Sequence, residues 1–385
     1  MLNDRETRTP VAYSVITERL EYFALDPRIQ PDLDFLASQA IGDWYLSSRT
    51  EDDRQWVIRT LSDTRPLIEY LFDREAKSLR ELHHAYPELA GAPLVPMRAV
   101  TIKSRDGLDL VSYVTLPNDS TDKAPQPMVL VVHGGPWARD AFGFNSVHQW
   151  LANRGYAVLS VNFRSSTGFG KAFVNAGDRE WGRRMDDDLL DAVAWAIDQK
   201  IADPRKIAIM GGSYGGYATL VGLTRNPETY ACGIDIVGPS NLETLIRTIP
   251  PYWEAIRSLF LKAIGDPDTE DGLSLLRERS PLFQAGRIAK PLLIAQGAND
   301  PRVKQAEADQ MVKALKDKDI PVAYLLYPDE GHGFARPENN IAFFAVAENF
   351  LARHLGGLAE PIHPKELTES TIEVKEGAAE LSLPQ

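Results

Sequence analysis

The stretch Gly211-Gly212-Ser213-Tyr214-Gly215 sets a serine in G-x-S-x-G spacing. An apolar run, Ile207–Met210, precedes it, and a small-residue, helix-compatible run follows to Leu220. A strand–turn–helix context of this kind presents a serine hydroxyl as a nucleophile. The turn is tight, so its first and fifth positions must lack bulk. The serine then stands at the carboxyl end of a strand and beside a helix N-terminus, where developing negative charge is favoured. A purely structural turn is the competing reading. A dinucleotide loop does not fit, because G-x-G-x-x-G is missing and the strand is not the first of a βαβ pair.

A serine hydroxyl is a poor nucleophile without a base, and the chain has seven histidines. His83 and His84 lie in the N-terminal region, and His354 and His363 in the last helix and the tail. His148 falls in a helical pattern, NSVHQWLANRG, that explains it by packing or solvent. His133 ends a strand in VVHGGPW. His332 lies in YPDEGHGF, between the strand-like VAYLLY and the last helix. Its loop falls at the same end of a parallel sheet as Ser213 and late in the chain, as the order serine, acid, histidine requires. His332 is the expected base.

The acid should end a strand between these two. Asp300, in PLLIAQGANDPRV, meets that condition. It would hold the imidazole tautomer and stabilise the imidazolium. Asp329 competes, but it shares the histidine's own loop. For the oxyanion, the expected donors are the backbone N–H groups of Tyr214 and of Gly135 in HGGP, residues 133–136. HGGP standing alone would read as a plain turn.

The surrounding elements must bring these loops to one place. From about residue 98, apolar strand-like runs alternate with helical patterns: RAVTIKS, LDLVSYVTLP, PMVLVVHGG, YAVLSVNF, KIAIM, CGIDIV, PLLIAQG and VAYLLY are the strands. Helices are expected over Met185–Lys200, Gly216–Arg225, Lys304–Lys318 and Asn339–His354. Continuous apolar strands separated by helices predict a mostly parallel sheet covered on both faces. Residues 1–95 differ: short runs rich in β-branched and aromatic residues, such as RQWVIRTL and PLIEYLFD, predict small antiparallel strands and then a linker. The expected division is thus a β-rich segment at 1–95, an α/β domain at 96–357 and a poorly ordered tail at 358–385.

The formal net charge of −12 argues against nucleic acid or an anionic membrane as partner. Cys232 is the only cysteine, so no intrachain disulfide and no Cys-based zinc site can form, and it reads as a core residue. The N-terminal MLNDRETRTP has no apolar signal region, and no stretch is long and apolar enough to span a bilayer. A cytoplasmic location is the expectation.

HGGP, NFRSSTGFG, GGSYGGY, GANDPRV and EGHGF, in this order, resemble the catalytic domain of the prolyl oligopeptidase family of serine peptidases, in its acylaminoacyl-peptidase-like branch. The resemblance implies an α/β-hydrolase fold, a triad of Ser213, Asp300 and His332, and hydrolysis of short peptides through an acyl-enzyme, without a metal or cofactor. It implies further that Arg302 binds a substrate carbonyl beside the scissile bond; without the resemblance, Arg302 reads as a solvated loop charge. Residues 241–260, NLETLIRTIPPYWEAIRSLF, carry Tyr252, Trp253, Ile256 and Phe260. They read either as core packing or, by resemblance, as an apolar pocket for the residue before the cleaved bond. Family members carry a complete β-propeller, whereas residues 1–95 resemble only its last part, room for about two blades of ~40–45 residues. Open blade edges predict self-association. A carboxylesterase and a non-catalytic binding protein on the same scaffold are the alternative functions.

Overall fold

A computed structural model describes residues 1–118, 124–381 and 383 of the chain. Its largest unit is a nine-stranded sheet. Across the sheet the order runs Glu373–Glu376, Ala323–Tyr327, Leu292–Gly297, Cys232–Ile236, Ala202–Gly212, Gln126–Val132, Ala157–Val161, Asp109–Thr115 and Met97–Lys103. The central pairings are parallel, and the edges are closed by antiparallel strands. The eight strands expected from the sequence are all present, and the fold is an α/β hydrolase with a small β-rich region ahead of it.

The ninth strand corrects the expectation of a poorly ordered tail. Glu373–Glu376 pairs antiparallel with Ala323–Tyr327. A short helix, Pro364–Thr368, precedes it with a capping box built on His363 and Glu366. Thr371 and Ser370 also bond the Asn339 side chain. The charged, Pro-containing composition of the tail hid a strand whose partner lies some fifty residues upstream.

Period-two alternation explains the layers. Val129, Ala208, Met210 and Ile234 face one core, with Leu151, Phe343, Val346 and Phe350 from helices Ser146–Asn153 and Pro337–Leu355. Met128, Leu130, Ile207 and Ile209 face the other, with Met185, Leu189, Leu220 and Met311 from helices Arg184–Asp198, Tyr214–Arg225 and Gln305–Lys316.

The N-terminal region holds a three-stranded and a four-stranded antiparallel sheet between Leu2 and His84. The second, Asp43–Arg49, Gln55–Leu61, Ile68–Asp73 and Ser78–His84, has the up-and-down order of one propeller blade. A helix, Gln30–Ser38, lies between the two sheets, packing Leu33 and Leu36 against Trp56 and Phe72. The turn after Ile16 meets the larger domain. Arg139 donates to Ile16 O at 2.9 Å and Thr17 O at 2.8 Å, and Tyr113 donates to Glu18 O at 3.0 Å.

Candidate active site

Ser213 joins the central strand to the helix Tyr214–Arg225 and has φ 58° and ψ −116°. This is a costly conformation for a residue with a Cβ. The neighbouring backbone enforces it. Ser213 N–H donates to Ile236 O at 2.8 Å, and Ser213 O accepts from Tyr217 N–H at 3.0 Å. A Cβ on Gly211 would lie 2.5 Å from Val132 O and 2.7 Å from Gly215 Cα, and one on Gly215 would land on Val132 O. The first and fifth positions of G-x-S-x-G are therefore glycine because adjacent backbone fills the space.

The structure brings Asp300 and His332 together. His332 Nδ1 donates to Asp300 Oδ2 at 2.6 Å. Asp300 is buried, and its Oδ1 accepts the N–H groups of Arg302 at 2.8 Å and Val303 at 2.9 Å. The aspartate is thus aimed at the imidazole by its own loop. The two loops are stitched together: Asn299 N–H donates to Glu330 O at 2.9 Å, and a Cβ on Gly297 would fall 2.7 Å from that same oxygen. Asp329 is placed elsewhere, paired with Arg336 at 2.5 Å and bonded to Asn339 and Thr371.

Glu330 shapes the histidine loop and was not singled out from sequence. Its buried carboxylate accepts from the N–H groups of Ala335 and Arg336, both at 2.9 Å, and from Asn339 Nδ2 at 2.8 Å. Its place two residues before His332 was the available signal.

The HGGP loop crosses the serine turn. A Cβ on Gly134 would lie 3.1 Å from Gly212 O and 3.4 Å from Ser213 Cβ. Gly135 has φ 120°, and a Cβ there would sit 2.7 Å from Trp137 N. Tyr214 is the first residue of its helix, so its N–H has no intrahelical acceptor. Its ring is buried against Phe163 and Trp181, fixing the helix start. His133 donates from Nδ1 to Gly134 O at 2.8 Å and accepts the Ser166 hydroxyl at Nε2 at 2.9 Å. Desolvation pushes its pKa down to about 4. With both nitrogens engaged, His133 is a neutral strut of the loop.

Beyond Asp300 in the same loop, Arg302 Cζ lies 5.5 Å from the centre of the Trp253 ring. Trp253 stacks on buried Phe260 at 5.3 Å, and Trp137 meets Phe260 edge-on at 5.2 Å. Trp137 follows HGGP directly and thereby links the loop to residues 251–260; sequence reasoning passed over it. Tyr252 and Ile256, 59% and 42% exposed, turn to solvent, so core packing does not account for them.

The profile of the prolyl oligopeptidase family matches residues 142–358, more than half of the chain. The chain belongs to the prolyl oligopeptidase family. It is 56% identical over 383 residues to a dipeptidyl aminopeptidase BIII of Pseudoxanthomonas mexicana, a match covering 98% of this chain and 55% of that protein. It is 43% identical to dipeptidyl peptidase family member 6 of Caenorhabditis elegans, covering 97% of this chain and 54% of that one. Acylamino-acid-releasing enzymes are also among its relatives. A puromycin-hydrolysing peptidase of Mycobacterium tuberculosis superposes with a TM-score of 0.77 at 27% identity, over 91% of this chain and 54% of that one. The chain spans about half the length of the curated relatives it matches. Among the described residues no helix is long and apolar enough to cross a membrane.

Proposed function

We propose that the protein is a serine peptidase that hydrolyses short peptides, with Ser213, Asp300 and His332 as its triad. The 2.6 Å bond from His332 Nδ1 to Asp300 Oδ2, at the end of the sheet where the Ser213 turn is strained outward, carries this reading. With Nδ1 donating to the aspartate, Nε2 is the acceptor. It takes the Ser213 proton as Oγ attacks the scissile carbonyl. The Tyr214 and Gly135 N–H groups stabilise the tetrahedral oxyanion. His332 then returns the proton to the leaving amine, and water, activated by the same imidazole, hydrolyses the acyl-serine.

Arg302 binds a peptide carbonyl next to the scissile bond, and Trp253, with Tyr252 and Ile256 at its flanks, faces the residue before it. The names of the two dipeptidyl peptidase relatives above extend the proposal to dipeptides released from a free amino terminus. A cytoplasmic location belongs to the same proposal, and so does self-association through the N-terminal sheet, where the stacked pair Tyr13 and Phe23 is exposed.

Turnover of a dipeptidyl anilide, its N-acetylated form and a short acyl ester tests the assignment. The free dipeptidyl anilide should be cleaved best. Ester turnover without anilide cleavage would make the protein a carboxylesterase instead.

A further inference from the structure

Glu307 is a buried carboxylate that the steps above do not use. It lies in the first turn of the helix Gln305–Lys316, directly after the loop that carries Asp300 and Arg302. Its Oε2 accepts the N–H groups of Ser240 at 3.0 Å and Asn241 at 2.8 Å, and Gln310 Nε2 at 2.9 Å. Its Oε1 accepts the Thr244 hydroxyl. The Ser240 hydroxyl in turn donates to Glu307 O at 2.7 Å. Every partner is a neutral donor, so the lone pairs of an ionised carboxylate are matched by dipoles rather than by a cation.

These contacts hold the start of another site element. Asn241 caps the helix Leu242–Arg247 by accepting from Glu243 N–H at 3.1 Å. That helix runs on to the turn Pro251–Ile256, which carries Trp253. The structure joins the two elements a second time where Arg302 meets the Trp253 ring. We propose that Glu307 is a positioning residue for peptide binding: it clamps residues 240–244 to the helix after the acid loop and thereby keeps Trp253 beside Arg302. The inference rests on the peptidase reading above.

Glu307→Gln tests it, because the new NH₂ group faces donors it cannot accept from. The Michaelis constant for the anilide should rise by about ten- to a hundredfold, the range expected for a charged hydrogen bond, with kcat little changed. The rate of covalent labelling by a fluorophosphonate should stay near the wild-type value, since Ser213, His332 and Asp300 lie outside the clamp. Tryptophan emission should shift on the substitution, and the shift should vanish in a Trp253→Phe background. If Glu307→Gln does not fold, Thr244→Val removes a single donor and should raise the constant in the same selective way by a smaller factor. A parallel fall of kcat and labelling, or an unchanged Michaelis constant with unchanged emission, would overturn the proposal. Should wild type cleave the ester but not the anilide, the peptidase reading fails, and the emission experiment alone decides the clamp.

Discussion

Ser213 and Trp253 belong to one candidate site but are held in different ways. The serine turn is fixed by backbone against backbone: Gly211 and Gly215 press on Val132 O, and Ser213 itself bonds Ile236 O. Trp253 is held by side chains: Phe260 stacks on it, Arg302 approaches its ring from the acid loop, and the proposed Glu307 clamp holds the segment that leads to it. The proposed nucleophile therefore sits on a turn fixed by backbone, while the proposed binding surface is assembled from side-chain contacts that single substitutions can remove. Substitutions on the first side should abolish turnover; those on the second should change which substrates are turned over.

The largest expected effect lies on the chemical side. His332→Gln should lower kcat by at least about a thousandfold, leaving only what the oxyanion donors and binding supply. His133→Gln should retain a measurable fraction, because His133 only braces the glycine loop. Steady-state kinetics on both variants distinguishes them, and the reverse ranking would remove His332 as base.

Arg302→Ala should act on selectivity. Peptide turnover should fall about ten- to a hundredfold relative to a minimal acyl ester that lacks the contacted carbonyl, as a charged hydrogen bond of ~1.5–3 kcal/mol requires. Equal losses on both substrates would give Arg302 a structural role and dissolve the distinction between the two sides.

The smallest effect is on stability. His148 is buried between the Thr115 and Ser160 hydroxyls, each at 2.9 Å, and desolvation lowers its pKa from 6.5 to about 4. Below pH 6.5 the unfolded chain binds a proton that the folded chain refuses, so this residue makes stability fall as pH drops from 6.5 towards 4. The loss is at most about 3 kcal/mol. Denaturant midpoints measured across that range should fall with pH in wild type and fall less steeply in His148→Gln. Equal slopes would show that His148 does not titrate with folding.

The same contrast explains what was legible. G-x-S-x-G after an apolar run and the order serine, acid, histidine are local or topological rules, so Ser213, Asp300 and His332 stand out in the sequence as candidates. Asp300 was separable from Asp329 because one ends a strand and the other shares the histidine's loop. Trp137 and Glu307 act through partners more than sixty residues away, Phe260 and Ser240 among them, and no periodicity marks such pairs. The helix Gln30–Ser38 was hidden because Pro27 and Pro31 read as turn punctuation, whereas Pro31 sits in the first turn of that helix, where a missing N–H costs nothing. The tail strand was hidden because Glu373–Glu376 is polar and takes its order from Ala323–Tyr327.

In the proposed mechanism Ser213 is a nucleophile activated by His332 and Asp300. Intact-mass and peptide-mapping spectrometry after treatment with a fluorophosphonate decides whether it is. One adduct per chain is expected, located on Ser213, formed slowly in Asp300→Asn and absent in Ser213→Ala. Undiminished labelling of Ser213→Ala, or an adduct mapped to another residue, would contradict it.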